Sequence, residues 1–360
     1  MRQKAILVGT MLDRGSIFEE EESLKELARL ADTAGATVID HIVQRRARPD
    51  ATYFIGKGKV EELALAVADS RADLVIFDHS LTPSQASNIQ AQLDCRVVDR
   101  AELIMDIFAR HARSAESKIQ VELAQLQYRF SRLVGAGLEM TDPGAGIGTR
   151  GPGEKQLELD RRKIRHRIAR LKQELKKVEQ QRRTQRKSRA DIFKISLVGY
   201  TNAGKSTLMN LLSKARVKVE DRLFATLDAT TRAVVLASGE KFLLTDTVGF
   251  IRRLPHQLVA SFKATLEEVN QADLVLQVVD SPHPLYLKEI AAVEEVLKEI
   301  KADRPELLVF NKTDLLDPDT LDGLRRNYPG AAFISALTGE GRRELEALIR
   351  QRMEPQRSAE

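Results

Sequence analysis

The stretch Gly199-Tyr-Thr-Asn-Ala-Gly204-Lys205-Ser206 decides the fold of the C-terminal half of this 360-residue chain. It has the spacing of a phosphate-binding loop, which is glycine, four residues, then Gly-Lys-Ser. Residues 192–198 before it are typical of a buried strand, and residues 207–212 after it are typical of a helix start. Backbone N–H groups and the helix N-terminus then converge on phosphate oxygens. The pattern predicts a nucleotide site in which Lys205 reaches the outer phosphates and the Ser206 hydroxyl binds Mg²⁺.

The segment that follows Asp191 predicts an α/β domain with a mostly parallel six-stranded sheet and helices on both faces. Only the second and third strands join directly, as a hairpin across Ser238-Gly239-Glu240. Such sheets bind ligands at the carboxyl ends of their strands. The expected strands are 192–198, 233–237, 241–246, 274–280, 307–310 and 331–334, and the expected helices are about 205–213, 256–269, 286–301, 319–326 and 340–352.

Asp246-Thr-Val-Gly249 lies at the end of the third strand of this domain. Its aspartate is suited to hold the water shell of Mg²⁺, and the Gly249 N–H is suited to sense the γ-phosphate. Together with the phosphate loop, this motif predicts hydrolysis of a nucleoside triphosphate.

Two motifs predict that the base is guanine. In Asn311-Lys-Thr-Asp314 the final carboxylate is able to accept hydrogen bonds from guanine N1–H and its exocyclic amine, a pair that adenine lacks. Asn311 is expected to brace the loop and Lys312 to lie along the base plane. Ser335-Ala-Leu337 is expected to offer the Ala336 N–H to guanine O6.

The positive charge of the chain is concentrated between Arg161 and Arg189, where fourteen basic residues are opposed only by Glu174 and Glu179. Apolar residues at heptad spacing predict that this segment and the one before it form an antiparallel helical hairpin. We interpret the basic bias as a nucleic-acid-binding surface, with a solvated helix face as the alternative. The heptad positions are Ile119, Leu123, Leu126, Phe130 and Leu133, then Leu157, Ile164, Ile168, Leu171, Leu175 and Val178.

The segment Gly135–Gly153 joins the two helices and contains too much glycine and proline to favour regular structure. We interpret it as a mobile probe that reaches into structured RNA, with Arg150 and Lys155 available for phosphate contacts. The alternative is a flexible linker.

Residues up to about Ala112 alternate strand-like and helix-like runs and predict a small α/β domain with a mainly parallel sheet. Gly56-Lys-Gly-Lys59 is interpreted as a tight turn rather than a phosphate site. The single cysteine, Cys95, excludes an internal disulfide framework, and we expect a buried thiol in a short strand. The sequence has no apolar run of membrane-spanning length and no signal-peptide layout, so we expect a cytoplasmic protein.

On these motifs the chain resembles the HflX family, the ribosome-associated P-loop GTPases of the translation-factor-related class, over nearly its whole length. The specific marks are Gly135–Gly153 followed by Glu154–Arg162, then Gly199–Ser206 and Leu223–Arg232. The resemblance implies an N-terminal α/β domain at 1–112, a basic hairpin at 113–190 with tip loop 135–153, a GTPase domain at 191–354 and a tail at 355–360. It also implies that Phe224–Asp228 is the first switch loop and that Thr226 closes on Mg²⁺ and the γ-phosphate. Composition alone does not distinguish Thr226 from Thr230 or Thr231.

Motifs and resemblance together predict one set of site residues. Lys205, Thr226 and Gly249 are expected to act in hydrolysis, and Ser206 and Thr226 to bind Mg²⁺. The full set is Gly199, Tyr200, Thr201, Asn202, Ala203, Gly204, Lys205, Ser206, Phe224, Ala225, Thr226, Leu227, Asp228, Asp246, Thr247, Val248, Gly249, Asn311, Lys312, Thr313, Asp314, Ser335, Ala336 and Leu337.

The resemblance also implies partners. Members of the family bind the large ribosomal subunit, place the hairpin loop near the peptidyl-transferase region of the rRNA, and help to split or rescue stalled ribosomes. We expect a monomer without DNA specificity that is partly ribosome-bound, and a peripheral association with membranes is left open. The chain stops soon after the expected helix 340–352, which leaves little room for an extra C-terminal domain.

Phe250 stands where many GTPases place a glutamine that orients the attacking water. We therefore expect slow intrinsic hydrolysis of GTP that a partner, the ribosome, accelerates. A second interpretation is a K⁺ ion held partly by Asn202, with loop bracing as the alternative role for Asn202. A third is that Phe250 swings away and backbone groups alone position the water. Besides a ribosome-dependent switch, the sequence leaves open an RNA-binding or remodelling protein with a regulatory GTP site, and a G protein that docks a protein partner on its hairpin.

Overall fold

The computed structural model describes residues 2–12, 16–139, 152–186, 192–213, 223–224, 226–253, 258 and 268–357. The chain divides into two compact units. Unit 1 consists mainly of residues 1–110 and 118–177, and unit 2 consists of residues 111–117, 178–254 and 262–360. Among the described residues, none of the helices has both the length and the apolar character that crossing a bilayer requires.

A four-stranded parallel sheet in the order β2-β1-β3-β4 forms the start of unit 1. Its strands alternate with helices, which confirms the predicted N-terminal α/β fold. Leu27 and Leu30 of the first helix are fully buried, and Glu20 is buried on the same face. The elements are β1 (Gln3–Leu12), α1 (Ile17–Thr33), β2 (Ala36–Arg46), α2 (Lys57–Ser70), β3 (Leu74–Phe77), α3 (Pro83–Gln90), β4 (Arg96–Asp99) and α4 (Arg100–His111).

The prediction for Cys95 is wrong in part. Strand β4 begins one residue later, at Arg96, and Cys95 is half-buried rather than fully enclosed. Because burial is the largest influence on this thiol, its pKa is raised, which keeps it protonated and unreactive near neutral pH.

Two long helices form the predicted antiparallel hairpin, α5 (Ala115–Glu139) and α6 (Pro152–Arg186). Arg161 Nη2 donates to the Leu133 carbonyl at 2.7 Å, and Arg167 makes two bonds of 2.7 and 2.8 Å to the Glu122 carboxylate. Later residues of α6 thus meet earlier residues of α5, as antiparallel packing requires.

The structure corrects the extent of the segment between the hairpin helices. Helix α5 continues through Gly135 to Glu139, and α6 begins at Pro152, so both ends of Gly135–Gly153 are helical. Proline is well suited to the first turn of a helix because the N–H that it lacks has no helical partner there. The remaining residues, 140–151 with Arg150, lie outside the described part of the chain.

Helix α5 is anchored within unit 1 by the carboxyl end of β4. Asp99 accepts hydrogen bonds from the Tyr128 hydroxyl and from the Leu81 and Glu102 backbone N–H groups. Arg132, one turn further along α5, bonds Glu102 at 2.8 Å. Burial and the neighbouring Asp99 raise the pKa of Tyr128, so its hydroxyl stays a donor.

Unit 2 contains the predicted six-stranded sheet, in the order β10-β9-β8-β5-β7-β6. All neighbours are parallel except β6 and β7, which form the expected hairpin. The helix expected at 256–269 falls mostly outside the described residues. The elements are β5 (Phe193–Gly199), α7 (Lys205–Ser213), β6 (Thr230–Val235), β7 (Lys241–Asp246), β8 (Leu274–Asp280), α8 (Tyr286–Glu299), β9 (Glu306–Asn311), α9 (Pro318–Asn327), β10 (Ala332–Phe333) and α10 (Arg342–Arg357).

Candidate nucleotide-binding site

The phosphate loop runs from the end of β5 to the first turn of α7 and packs directly on Asn311 at the end of β9. Gly204 has φ +93°, and a Cβ atom there would lie 2.1 Å from Asn311 Nδ2. That amide donates to the Ala203 carbonyl at 2.8 Å, and Asn311 Oδ1 accepts the Ala336 N–H at 2.9 Å. One side chain therefore ties the phosphate loop to the loop after β10, and only glycine leaves room for it.

Lys205 is buried at the start of α7, and its Nζ donates to the carbonyls of Gly199 at 3.0 Å and Tyr200 at 2.7 Å. Burial lowers the pKa of Lys205 to about 8. Phosphate oxygens would stabilise its charge more strongly than two carbonyls do. The Lys205 ammonium thus lies within the phosphate loop, where phosphate oxygens would replace the two carbonyls as its partners.

Three oxygen-bearing side chains from different elements meet beside this lysine. Ser206 Oγ lies 2.7 Å from Asp246 Oδ2 and 2.9 Å from Thr226 Oγ1, and the Thr226 hydroxyl is 3.2 Å from the same Asp246 oxygen. Asp246 Oδ1 is buried with no hydrogen-bond partner among the described residues, and burial raises the pKa of this carboxyl. Two hydroxyls and a carboxylate with one unpaired oxygen fit a hydrated Mg²⁺ ion, which prefers oxygen ligands and retains several waters. When bound, such an ion neutralises charge on the β- and γ-phosphates.

The segment after Asp246 is fixed against the phosphate loop through its backbone. The Phe250 N–H donates to Gly199 O at 3.0 Å, and the Thr201 N–H donates to Phe250 O at 2.7 Å. A side chain at Gly249 would come within 3.0 Å of Lys205 Nζ and of Thr201. The close contact explains why this position is glycine.

The Phe250 ring points into the protein. Only 3% of the residue is exposed, and it packs in a hydrophobic cluster with Val198, Val269, Ala272 and Val275. In this structure the ring therefore takes no part in arranging water beside the γ-phosphate.

The base-recognition loop begins with Lys312, which adopts a left-handed conformation with φ +65°. Its Nζ donates to Asp280 Oδ2 at 2.5 Å. Asp314 is exposed in the short 3₁₀ turn Thr313–Leu315, where its carboxylate is open to a base. None of the sequence motifs includes Asp280. It could have been predicted from its place at the end of β8, between β5 and β9, because such sheets bind ligands at the carboxyl ends of their strands.

The Ala336 N–H donates to Asn311 Oδ1 at 2.9 Å, and its contact with guanine O6 stays a prediction. Leu337, the next residue, is 83% exposed. Ser335 Oγ accepts the Thr338 N–H at 3.1 Å, which folds the loop back on itself.

The other predicted site residues surround this centre, except that Ala225 lies outside the described residues. Asn202 is exposed with φ +64°, and Phe224, Leu227 and Val248 are buried. The Thr247 hydroxyl donates to the Leu197 carbonyl at 2.6 Å.

Asp228 bonds the residues that precede α5. The Ser114 hydroxyl donates to its Oδ1 at 2.5 Å. No motif in the sequence linked these two positions, which are 114 residues apart. Within the described ranges, no group of three or more His, Cys, Asp or Glu residues is placed to hold a metal ion.

Three family models match successive parts of the chain. They are described as "GTP-binding GTPase N-terminal" at residues 21–109, "GTP-binding GTPase Middle Region" at 111–189 and "50S ribosome-binding GTPase" at 194–312.

Relatives match over most of their length. "GTPase HflX" of Caldanaerobacter subterraneus subsp. tengcongensis is 51% identical over 88% of this chain and 74% of its own. "GTPase HflX" of Escherichia coli is 46% identical over 93% of this chain and 80% of its own. Among solved structures, the crystal structure of an SsGBP and GDP complex superposes with a TM-score of 0.52 at 26% identity, covering 98% of both chains.

Proposed function

The chain belongs to the HflX family of GTPases, and from this premise we propose that it binds the large ribosomal subunit and uses GTP to set the state of its basic hairpin, so that stalled ribosomes are split or rescued. In this proposal the hairpin loop contacts rRNA near the peptidyl-transferase region. The protein acts as a monomer in the cytoplasm.

The buried Phe250 ring is the observation that carries the proposal. No side chain at this position orients the attacking water. The other residues of the site stabilise the charge of the phosphates and enclose them, but the role of positioning that water is not filled. Lys205 holds the outer phosphates, Thr226 closes on the γ-phosphate, and the Gly249 N–H faces it. A group of the arginine-finger kind is worth roughly 10³–10⁵ in rate, so a partner that completes such a site acts as a switch for hydrolysis.

The hairpin supplies a surface suited to rRNA. Exposed basic residues follow one another along α6, and glutamates are few there. Neutralising phosphates with lysine and arginine releases counterions, which makes such binding strong and salt-dependent. The exposed members are Arg162, Lys163, Arg165, Arg170, Lys172, Lys176 and Lys177.

The test is GTP turnover by the purified protein, alone and with isolated large ribosomal subunits, in K⁺ and in Na⁺ buffers. Strong stimulation by the subunit is the expected result. If GTP turnover without subunits is faster in K⁺ than in Na⁺, a cation near Asn202, and not the subunit, completes the site. No response to either would contradict the switch.

The second candidate is an RNA-binding or remodelling protein in which GTP is only regulatory, and the exposed basic face of α6 is the observation that favours it. In that case, affinity for large subunits would be equal with GDP and with a non-hydrolysable GTP analogue, and would fall steeply with salt in both. The switch model expects the two nucleotides to differ.

A further inference from the structure

We propose that Ser114, in the turn before hairpin helix α5, is a positioning residue of the GTP site that fixes Asp228 and thereby holds Thr226 beside Ser206 and Asp246. The inference rests on the proposed function in one respect, because it names the contact through which the GTP site and the hairpin would communicate. Ser114 touches neither nucleotide nor metal in this scheme and acts through Asp228 and Thr226.

Asp228 is held by three donors from the turn before α5. The Ser114 hydroxyl donates to Oδ1 at 2.5 Å, and the backbone N–H groups of Arg113 and Ser114 donate to Oδ2 at 3.2 Å each. Residues 111–117 belong to the same compact unit as the phosphate loop. Both oxygens of the Asp228 carboxylate are therefore held by this turn.

Ser114 has a second task at the same oxygen. Its Oγ accepts the backbone N–H of Ser117 at 3.0 Å, three residues on, which is the N-cap bond of a helix that begins at Ala115. The Ser114 hydroxyl thus accepts a hydrogen bond from Ser117 in the first turn of α5 and donates one to Asp228. Both the start of the hairpin and Asp228 are held by this one oxygen atom.

The connection from Asp228 to the metal-binding oxygens is short. Leu227 is buried, 3% exposed, between Asp228 and Thr226. The Thr226 hydroxyl contacts both Ser206 and Asp246. Because an anchored Asp228 and a buried Leu227 limit the movement of Thr226, a bound γ-phosphate finds its threonine in place.

The coupling operates in both directions, as linkage requires. If Asp228 moves away after hydrolysis, Arg113 and Ser114 lose the acceptor for their N–H and hydroxyl groups, and the first turn of α5 is less tightly held. Conversely, a partner that displaces this turn would loosen Thr226 and weaken binding of the triphosphate.

The experiment compares affinities for GDP and for guanylyl imidodiphosphate, a non-hydrolysable GTP analogue, by titration calorimetry with Mg²⁺ and without ribosomes. For Ser114→Ala we expect the analogue to bind about tenfold more weakly, since a hydrogen bond to a charged group is lost, while GDP binds as before. If Ser114 contributed only to the stability of the fold, Ser114→Ala would change the affinities for GDP and for the analogue alike.

Two further variants separate the contact with Asp228 from the N-cap. Ser114→Thr keeps both the donor and the acceptor and should restore the affinity for the analogue. Ser114→Asp keeps a good N-cap acceptor but has no proton to donate and places a second carboxylate beside Asp228. We expect Ser114→Asp to bind the analogue at least as weakly as Ser114→Ala does, although α5 stays capped.

The proposal is overturned if Ser114→Asp binds the analogue as the wild type does, or if Ser114→Ala weakens both nucleotides equally. A second measurement is amide hydrogen exchange in peptides that cover residues 111–120. Greater protection with the analogue than with GDP is expected, and equal protection in the wild type would also contradict the coupling. None of these readouts uses ribosomes, so their failure is distinct from failure of the subunit to stimulate turnover.

Discussion

Charged residues are used in opposite ways in the phosphate loop of unit 2 and along α6 of unit 1. Lys205 is buried and makes two hydrogen bonds to backbone carbonyls, and Asp246 is 1% exposed beside two hydroxyls. Lys172, Lys176 and Lys177 are exposed on the surface of α6. A buried charge acts through one fixed geometry, so single substitutions should be severe. Exposed charges act through their sum, so single substitutions should be mild.

Lys205→Ala tests the buried side of this comparison and should have the largest effect. Removing the ammonium leaves the outer phosphates without their main cation, so GTP turnover should fall by at least about a hundredfold. Single-turnover hydrolysis with large subunits measures it, and Lys194→Ala, in β5 outside the site, is the matched control. If Lys205→Ala still released ribosomes under nucleotide control, the switch model would be wrong.

Asp314→Asn should have the next largest effect, confined to the choice of base. The carboxylate would accept two hydrogen bonds from guanine, and an amide cannot accept both, so preference for GTP over ITP or XTP should drop by about a hundredfold. Competition binding with the three nucleotides measures the preference. Asp317→Asn, at the N-cap of α9 three residues on, is the control that should leave it unchanged. Full retention of selectivity by Asp314→Asn would contradict the assigned contact.

The two regions also differ in how far the sequence predicts them. The strands and helices around the phosphate loop followed from spacing and periodicity, because each motif sits where a buried strand ends. The bond between Asn311 Oδ1 and the Ala336 N–H, and the one between Asp228 and Ser114, could not be predicted, since each joins loops distant in sequence. In the hairpin, periodicity gave the helices and their antiparallel pairing, but glycine content was a poor guide to where α5 ends. A helix interior tolerates glycine at a cost of about 1 kcal/mol.

The triple variant Lys172→Ala, Lys176→Ala and Lys177→Ala tests the exposed side. Removing three exposed charges from α6 should weaken binding to large subunits by about tenfold at low salt. The slope of log affinity against log salt should also become shallower, by about three at most. Sedimentation with subunits at several salt concentrations measures both. An unchanged salt slope would favour the solvated-face interpretation, and intrinsic GTP turnover should not change.

Arg167→Gln should have the smallest effect, although it removes a charge from the same helix. Arg167 already makes two hydrogen bonds to Glu122 on α5, so its charge is matched within the hairpin and is not available to a phosphate. Exposed pairs of this kind contribute little to stability. We expect affinity for large subunits and its salt slope to stay near those of the wild type, in the same sedimentation assay. A loss as large as that of the triple lysine variant would show that Arg167 leaves Glu122 to bind RNA, and the distinction between Arg167, which is paired within the hairpin, and the exposed basic residues of α6 would fail.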